Sequence, residues 1–298
     1  MNGRKTPTDY RTHLALLFVQ ITFGGFSVVG KYALTHIEPL AMASMRVLFA
    51  GPVLLLIALK HDRALPAVKE IPQLALLGFF GVFINQVLFI IGLNYTSAIN
   101  AAILMPSIPV FTTAIALLMR IERLTKTRIA GIAAAVIGAL IILNIGNLTF
   151  SGDAALGNLL ILINCASYAL FLVLARPVLL RIPPLTVTAW SFLFGGVGVV
   201  ALGFEDFITT PFMTLPSEVW LSIAYILLLP TLINYVLNVW AVKRSSSSLV
   251  AAYTTLQPVV ATILAILLLG EYFGIREMAG FALIVLGLVW TSTTPVRK

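Results

Sequence analysis

Asn85 and Gln86 are neighbouring amides inside the otherwise apolar stretch VFINQVLF (82–89), and Asn234 and Asn238 stand one helical turn apart in a second apolar stretch. An amide donates and accepts hydrogen bonds without carrying charge, so several facing one space suit a zwitterionic or neutral polar metabolite. Amides also link helix to helix in membranes, and residue type alone leaves both roles open. Asn100 and Ser107 in one polar, proline-bearing stretch, and Tyr253 and Gln257 in another, complete the candidate cavity residues. Pro106, Pro109 and Pro258 are candidate hinges, because a proline inside a helix removes a donor and frees a carbonyl; each is either a gate or a fixed kink. Lys31 and Arg46 are candidate charges on the outer side, attracting a substrate carboxylate or snorkelling to headgroups.

No Asp or Glu falls in the central part of any apolar span: Glu38, Glu122 and Glu271 stand at span ends, and His13, His36 and His61 near the edges. Proton relays need such groups at depth, so facilitated diffusion or exchange is favoured over proton coupling. An intramembrane hydrolase needs a nucleophile with a base or a carboxylate pair, and phosphoryl chemistry needs a phosphate-cradling loop. Neither pattern is present, and no enzyme activity, cofactor or metal site is expected.

The elements that position these residues follow from composition. Of 298 residues, 60% are hydrophobic and 10% charged, with mean hydropathy +1.04, against about 25% charged in soluble domains. Ten apolar spans, each long enough for a helix to cross a bilayer, are predicted at 12–35, 39–60, 72–94, 97–119, 125–146, 155–180, 184–204, 216–242, 246–269 and 274–294. The fold class is an all-α polytopic membrane protein. The first span exceeds a signal-peptide core and is read as a retained helix. Cys165, the only cysteine, excludes an intrachain disulfide.

A formal charge of +8 invites a nucleic-acid reading, but the basic residues are sorted by loop. With the N-terminus inside, 16 of 19 Lys and Arg fall on internal segments, leaving Lys31 and Arg276 outside and Arg46 within a helix. That asymmetry predicts cytoplasmic termini, and no nucleic-acid partner.

The chain also repeats itself. At an offset of 149, 16 of the 57 positions between 85 and 141 are identical, pairing Asn85 with Asn234, Pro109 with Pro258, Glu122 with Glu271, Gly131 with Gly280 and Gly138 with Gly287. Earlier in the halves the offset is 145: EPLAMASMRVLFAG (38–51) matches PPLTVTAWSFLFGG (183–196), and Lys31 matches Arg176. Two units, 1–149 and 150–298, of five spans each must insert in opposite orientations. Carriers place their sites at the interface of such inverted repeats.

The segments 95–139 and 247–287, with Pro, Glu and two Gly recurring in each, resemble the EamA family of the drug/metabolite transporter superfamily. NQVLFIIGLNYTSA is also similar to plant nodulin-like amino-acid facilitators of that superfamily. The resemblance implies a central cavity walled by helices 1 to 4 and 6 to 9, with helices 5 and 10 at one edge. It departs at Ile121, where the family's glycine precedes the glutamate; the second half keeps Gly270-Glu271. The expectation is a secondary carrier exporting small amphipathic metabolites, amino acids among them, across a bacterial inner membrane; a small-solute channel and a non-transporting sensor are the rival readings. Its partners are a small-molecule substrate and the lipid bilayer. The glycine-bearing edge of helices 5 and 10 is a candidate homodimer contact.

Overall fold

The computed structural model describes residues 9–62, 65–97, 100–101, 104–121, 125–143, 152–260, 263 and 274–293. Among them every regular element is helical: α1 (Tyr10–Ala33), α2 (Pro39–His61), α3 (Val68–Tyr95), α4 (Ser107–Leu118), α5 (Lys126–Leu143), α6 (Gly152–Leu179), α7 (Pro184–Thr209), α8 (Ser217–Arg244), α9 (Ser247–Tyr253) and α10 (Ile275–Thr293). Six of these, α1, α2, α3, α6, α7 and α8, are apolar over at least 23 residues. That length reaches about 35 Å at 1.5 Å per residue, enough to cross a core of about 30 Å. The chain is a polytopic membrane protein, and exposed Leu56, Val197 and Leu221 lie on its outer faces.

Two of the long helices are interrupted at mid-length. In α8, residues Leu227–Ile233 form a π-helical segment around Pro230. Pro230 has no N–H for the carbonyl of Ile226, and the Thr231 hydroxyl donates to that oxygen instead at 2.7 Å. In α3 the π segment is Phe79–Ile84, where the Ser167 hydroxyl of α6 donates to the Phe80 carbonyl at 2.8 Å. Gly81, at the position matching Pro230, admits the Phe171 ring into the space that a Cβ would fill. Each segment ends on an amide, Asn85 or Asn234.

The spans predicted at 97–119 and 246–269 are also broken at matching places. A turn at Met105 and Pro106 precedes α4, and a 3-10 turn, Thr254–Leu256, follows α9. The prolines explain both, since Pro106 lacks a donor and Pro258 leaves the Thr254 carbonyl without its helical partner. At its far end α4 closes with the Ile121 N–H on Ala116 O and the Arg120 N–H on Leu117 O, both 3.1 Å. Arg120 takes the left-handed position (φ 56°) that glycine usually occupies in this cap.

Helix α7 runs to Thr209, five residues beyond the predicted 204. Hydropathy falls at Glu205 and Asp206, but the helical hydrogen-bond ladder does not need apolar side chains to continue. The Thr209 and Thr210 hydroxyls close it on the Glu205 and Asp206 carbonyls at 2.8 and 2.6 Å. Glu122, Gly270 and Glu271 lie outside the described residues.

The glycines at seven-residue spacing face one another within the chain. A Cβ at Gly131 would stand 2.8 Å from the Gly287 carbonyl, and one at Gly138 would stand 2.5 Å from the Gly280 carbonyl. The glycines of α5 and α10 thus let these two helices approach closely within the chain.

Matching polar staples bind the ends of α3 and α8. Lys31 Nζ donates to the carbonyls of Leu93, Asn94 and Thr96, each at 2.8 Å. Arg176 Nη1 donates to Val242 O at 3.3 Å and to Ser245 O. Val242 and Ser245 lie 149 positions after Leu93 and Thr96. Both side chains satisfy carbonyls at a helix C-terminus, where the dipole favours a cation.

Candidate functional site

Between α1, α2, α3, α4, α6, α8 and the segment after α9 lies a partly enclosed cavity, about 700 Å³ of non-atom space with the open solvent at its mouth counted in. Its wall is part aromatic and part amide: Phe23, Phe26, Phe89, Tyr168, Phe171 and Tyr235 stand with Gln20, Asn85, Asn164, Asn238 and Gln257. Ser27, Thr254, Met105 and Ile108 complete it together with one cation, Arg46. The π segment of α3 ends immediately before Asn85, and that of α8 lies one helical turn before Asn238.

The polar groups are arranged by interhelical bonds. Tyr235 donates its hydroxyl to Asn85 Oδ1 at 2.9 Å, and Asn164 Nδ2 donates to the Asn85 carbonyl at 2.6 Å. Gln257 Nε2 donates to Gln20 Oε1 at 2.9 Å. Arg46, 2% exposed, donates from Nε to Thr231 Oγ1 at 2.8 Å and holds its Cζ 4.8 Å from the Phe26 ring centre. Asn238 is 3% exposed, and its Oδ1 accepts no hydrogen bond. Leaving a buried acceptor unmet costs roughly 1–3 kcal/mol, so the wall keeps unspent binding capacity.

Of the eight candidate cavity residues, Asn85, Asn238 and Gln257 line this space. Asn234 does not: it is fully buried, its Oδ1 accepting from Thr22 Oγ1 at 2.9 Å and its Nδ2 donating to Val19 O at 3.4 Å. It joins α8 to α1, the linking role that residue type had left open. Gln86 is buried beside the Tyr235 hydroxyl, and Ser107 beside the Cys165 thiol. Tyr253 pairs its hydroxyl with His13 Nδ1 at 2.5 Å. Asn100 donates to Thr96 Oγ1 at 3.0 Å, and Thr96 in turn donates to Asn158 at 2.8 Å. Pro106, Pro109 and Pro258 sit next to wall residues Met105, Ile108 and Gln257.

The two candidate outer-side charges part company. Lys31 is engaged by three carbonyls. Arg46 does not snorkel: it turns inward to Thr231, which the π segment of α8 presents. Gln20, Asn164 and Phe171 were not singled out from sequence. Gln20 and Asn164 are polar residues inside apolar runs, a signal of function in itself. Their repeat positions hold Cys165 and Val19, so comparing the halves passes over them. Helices α5, α7 and α10 give no wall residue among those described.

The sequence profile of the EamA-like transporter family matches residues 11–144 and again 155–293. The Uncharacterized transporter YyaM of Bacillus subtilis (strain 168) is 26% identical over 288 residues, 94% of this chain and 93% of that one. Protein WALLS ARE THIN 1 of Arabidopsis thaliana is 28% identical, over 95% of this chain and 82% of its own. A solved crystal structure superposes with a TM-score of 0.76 at 16% identity, covering 94% of this chain and 95% of the other.

Proposed function

The chain belongs to the EamA-like transporter family, and we propose that it is a secondary carrier moving small amphipathic metabolites, amino acids among them, by alternating access. The observation that carries this reading is the amide-lined cavity at mid-length of the helices, whose walls come from both halves of the chain. Carriers built from repeats hold substrate near the bilayer midplane and open it alternately to either side.

In this reading the chain crosses the membrane ten times, as units 1–149 and 150–298 of opposite orientation. Three repeat-matched features support it: the π segments of α3 and α8, the breaks at 105–106 and 254–256, and the staples of Lys31 and Arg176. Inversion puts the two staples at opposite membrane faces. The distribution of basic residues supports cytoplasmic termini in a bacterial inner membrane, and we read the direction as export. We read the edge formed by α5 and α10, where Ile137 and Trp290 are exposed, as the surface for pairing of two chains.

The test is counterflow in reconstituted vesicles preloaded with unlabelled amino acids and aromatic amphiphiles, with labelled solute outside. A carrier gives saturable uptake that overshoots equilibrium. Flux linear in concentration, with conductance and no overshoot, refutes the proposal in favour of a pore.

A further inference from the structure

We propose that the cavity is a carboxylate site, in which the buried guanidinium of Arg46 binds the acid group of a small organic acid whose apolar body lies against the aromatic wall. The inference rests on the carrier reading for its biological meaning, but its chemistry is argued from the site alone.

A cation buried at this depth needs a counterpart. Arg46 stands eight residues into α2 and is 2% exposed. Among the described residues its guanidinium makes one hydrogen bond, from Nε to the neutral Thr231 hydroxyl, and no ion pair. No Asp or Glu is among the described wall residues. Arg46 therefore holds a full charge beside the Thr231 hydroxyl, the Phe26 ring face and the nearby Tyr235 hydroxyl, none of which is an acid. Removing an ion from water without a partner costs several kcal/mol, and an intramembrane ionisable residue by default marks a site.

Among the described residues the two terminal nitrogens of Arg46 make no hydrogen bond. Thr231 donates its proton to the Ile226 carbonyl freed by Pro230, so its oxygen must accept from Arg46. That bond takes Nε and fixes the plane of the guanidinium. The two terminal nitrogens form the fork that fits a carboxylate with two parallel hydrogen bonds. Phe26 stacks on the cation at 4.8 Å and meets Phe89 at 5.2 Å, carrying the apolar wall on from the charge. A carboxylate supplies the missing negative charge, whereas an amine would meet a buried cation.

The experiment is a binding measurement on the purified full-length protein, independent of transport. Thermal stabilisation is read against a panel of short acids, each with its amine and alcohol analogues, such as 3-phenylpropionate, 3-phenylpropylamine and 3-phenylpropanol. Stabilisation is expected from acids, and Arg46→Gln should weaken it at least tenfold, with Arg46→Lys intermediate because it keeps the charge and loses the fork. Arginine modification by phenylglyoxal, read at Arg46 by mass spectrometry, needs no variant and should be blocked by the bound acid. Stabilisation by amines or alcohols alone, equal acid binding in Arg46→Gln, or no stabilisation by any acid overturns the proposal. If acids bind at Arg46 but counterflow fails, the carrier reading falls and this one stands.

Discussion

Replacing Lys31 by methionine tests whether this residue is a structural staple or a substrate charge at the outer gate. The change removes three hydrogen bonds from one ammonium to the carbonyls of Leu93, Asn94 and Thr96 at the end of α3, while methionine keeps a similar apolar length. A hydrogen bond to a charged group contributes roughly 1.5–3 kcal/mol net. Three bonds sharing one charge do not add, and the half-buried site is screened by water toward the 0–1 kcal/mol of exposed pairs. The expected loss is about 2 kcal/mol in total, a fall of roughly 3 °C in melting temperature for a chain of 298 residues. The assay is unfolding of the purified protein in mild detergent, followed by tryptophan fluorescence. Lys31→Arg should recover most of the loss, and Arg176→Met should reproduce it at the matching end of α8. A melting temperature within about 1 °C of the wild type, together with a tenfold loss of acid binding, would refute the staple and return Lys31 to the substrate path.

Asn238→Leu should reduce counterflow at least tenfold, because it removes an amide of the wall; Asn234→Leu should keep more than half of it, since Thr22 can still donate to Phe18 O and Val19 O. Gly138→Ala would drive a Cβ to 2.5 Å from the Gly280 carbonyl and should destabilise by about 1–3 kcal/mol. Gly51→Ala, with nothing within 4 Å, should stabilise by roughly 0.5–1 kcal/mol; detergent melting measures both. Arg120→Gly should raise stability by about 1 kcal/mol by relieving a left-handed backbone position, and an unchanged midpoint would argue against strain there.

Hydropathy made the helices legible, and the offset of 149 made the matched interruptions legible at Pro109 and Pro258. What stayed hidden was the partner each amide meets. Counting around the helix puts Asn85 and Asn234 on equivalent faces of their halves, and the matched π segment before each keeps that equivalence. In the structure Asn85 reaches the cavity and Asn234 meets Thr22. Pro230 was a visible cue in α8, but Gly81 in α3 gives no such cue without its contact to Phe171. Asymmetry hid the rest. Arg46 aligns with Ser191, Asn164 with Val19 and Gln20 with Cys165, so a search for shared features favours what the halves have in common. Position along α2 left Arg46 free to snorkel, and only the packing of α2 against α8 shows its head turned inward.

The described wall, with its single cation and no acid, has an electrical implication. In the proposed carrier, with no carboxylate among the described wall residues to ferry a proton, a bound monoanion would cross as a bare charge, and its passage would be a current. Each 100 mV of potential, negative inside, is worth about 2.3 kcal/mol to that charge, a gradient of roughly fifty-fold at balance. The resting voltage of a cell would then expel such a solute without any second ion.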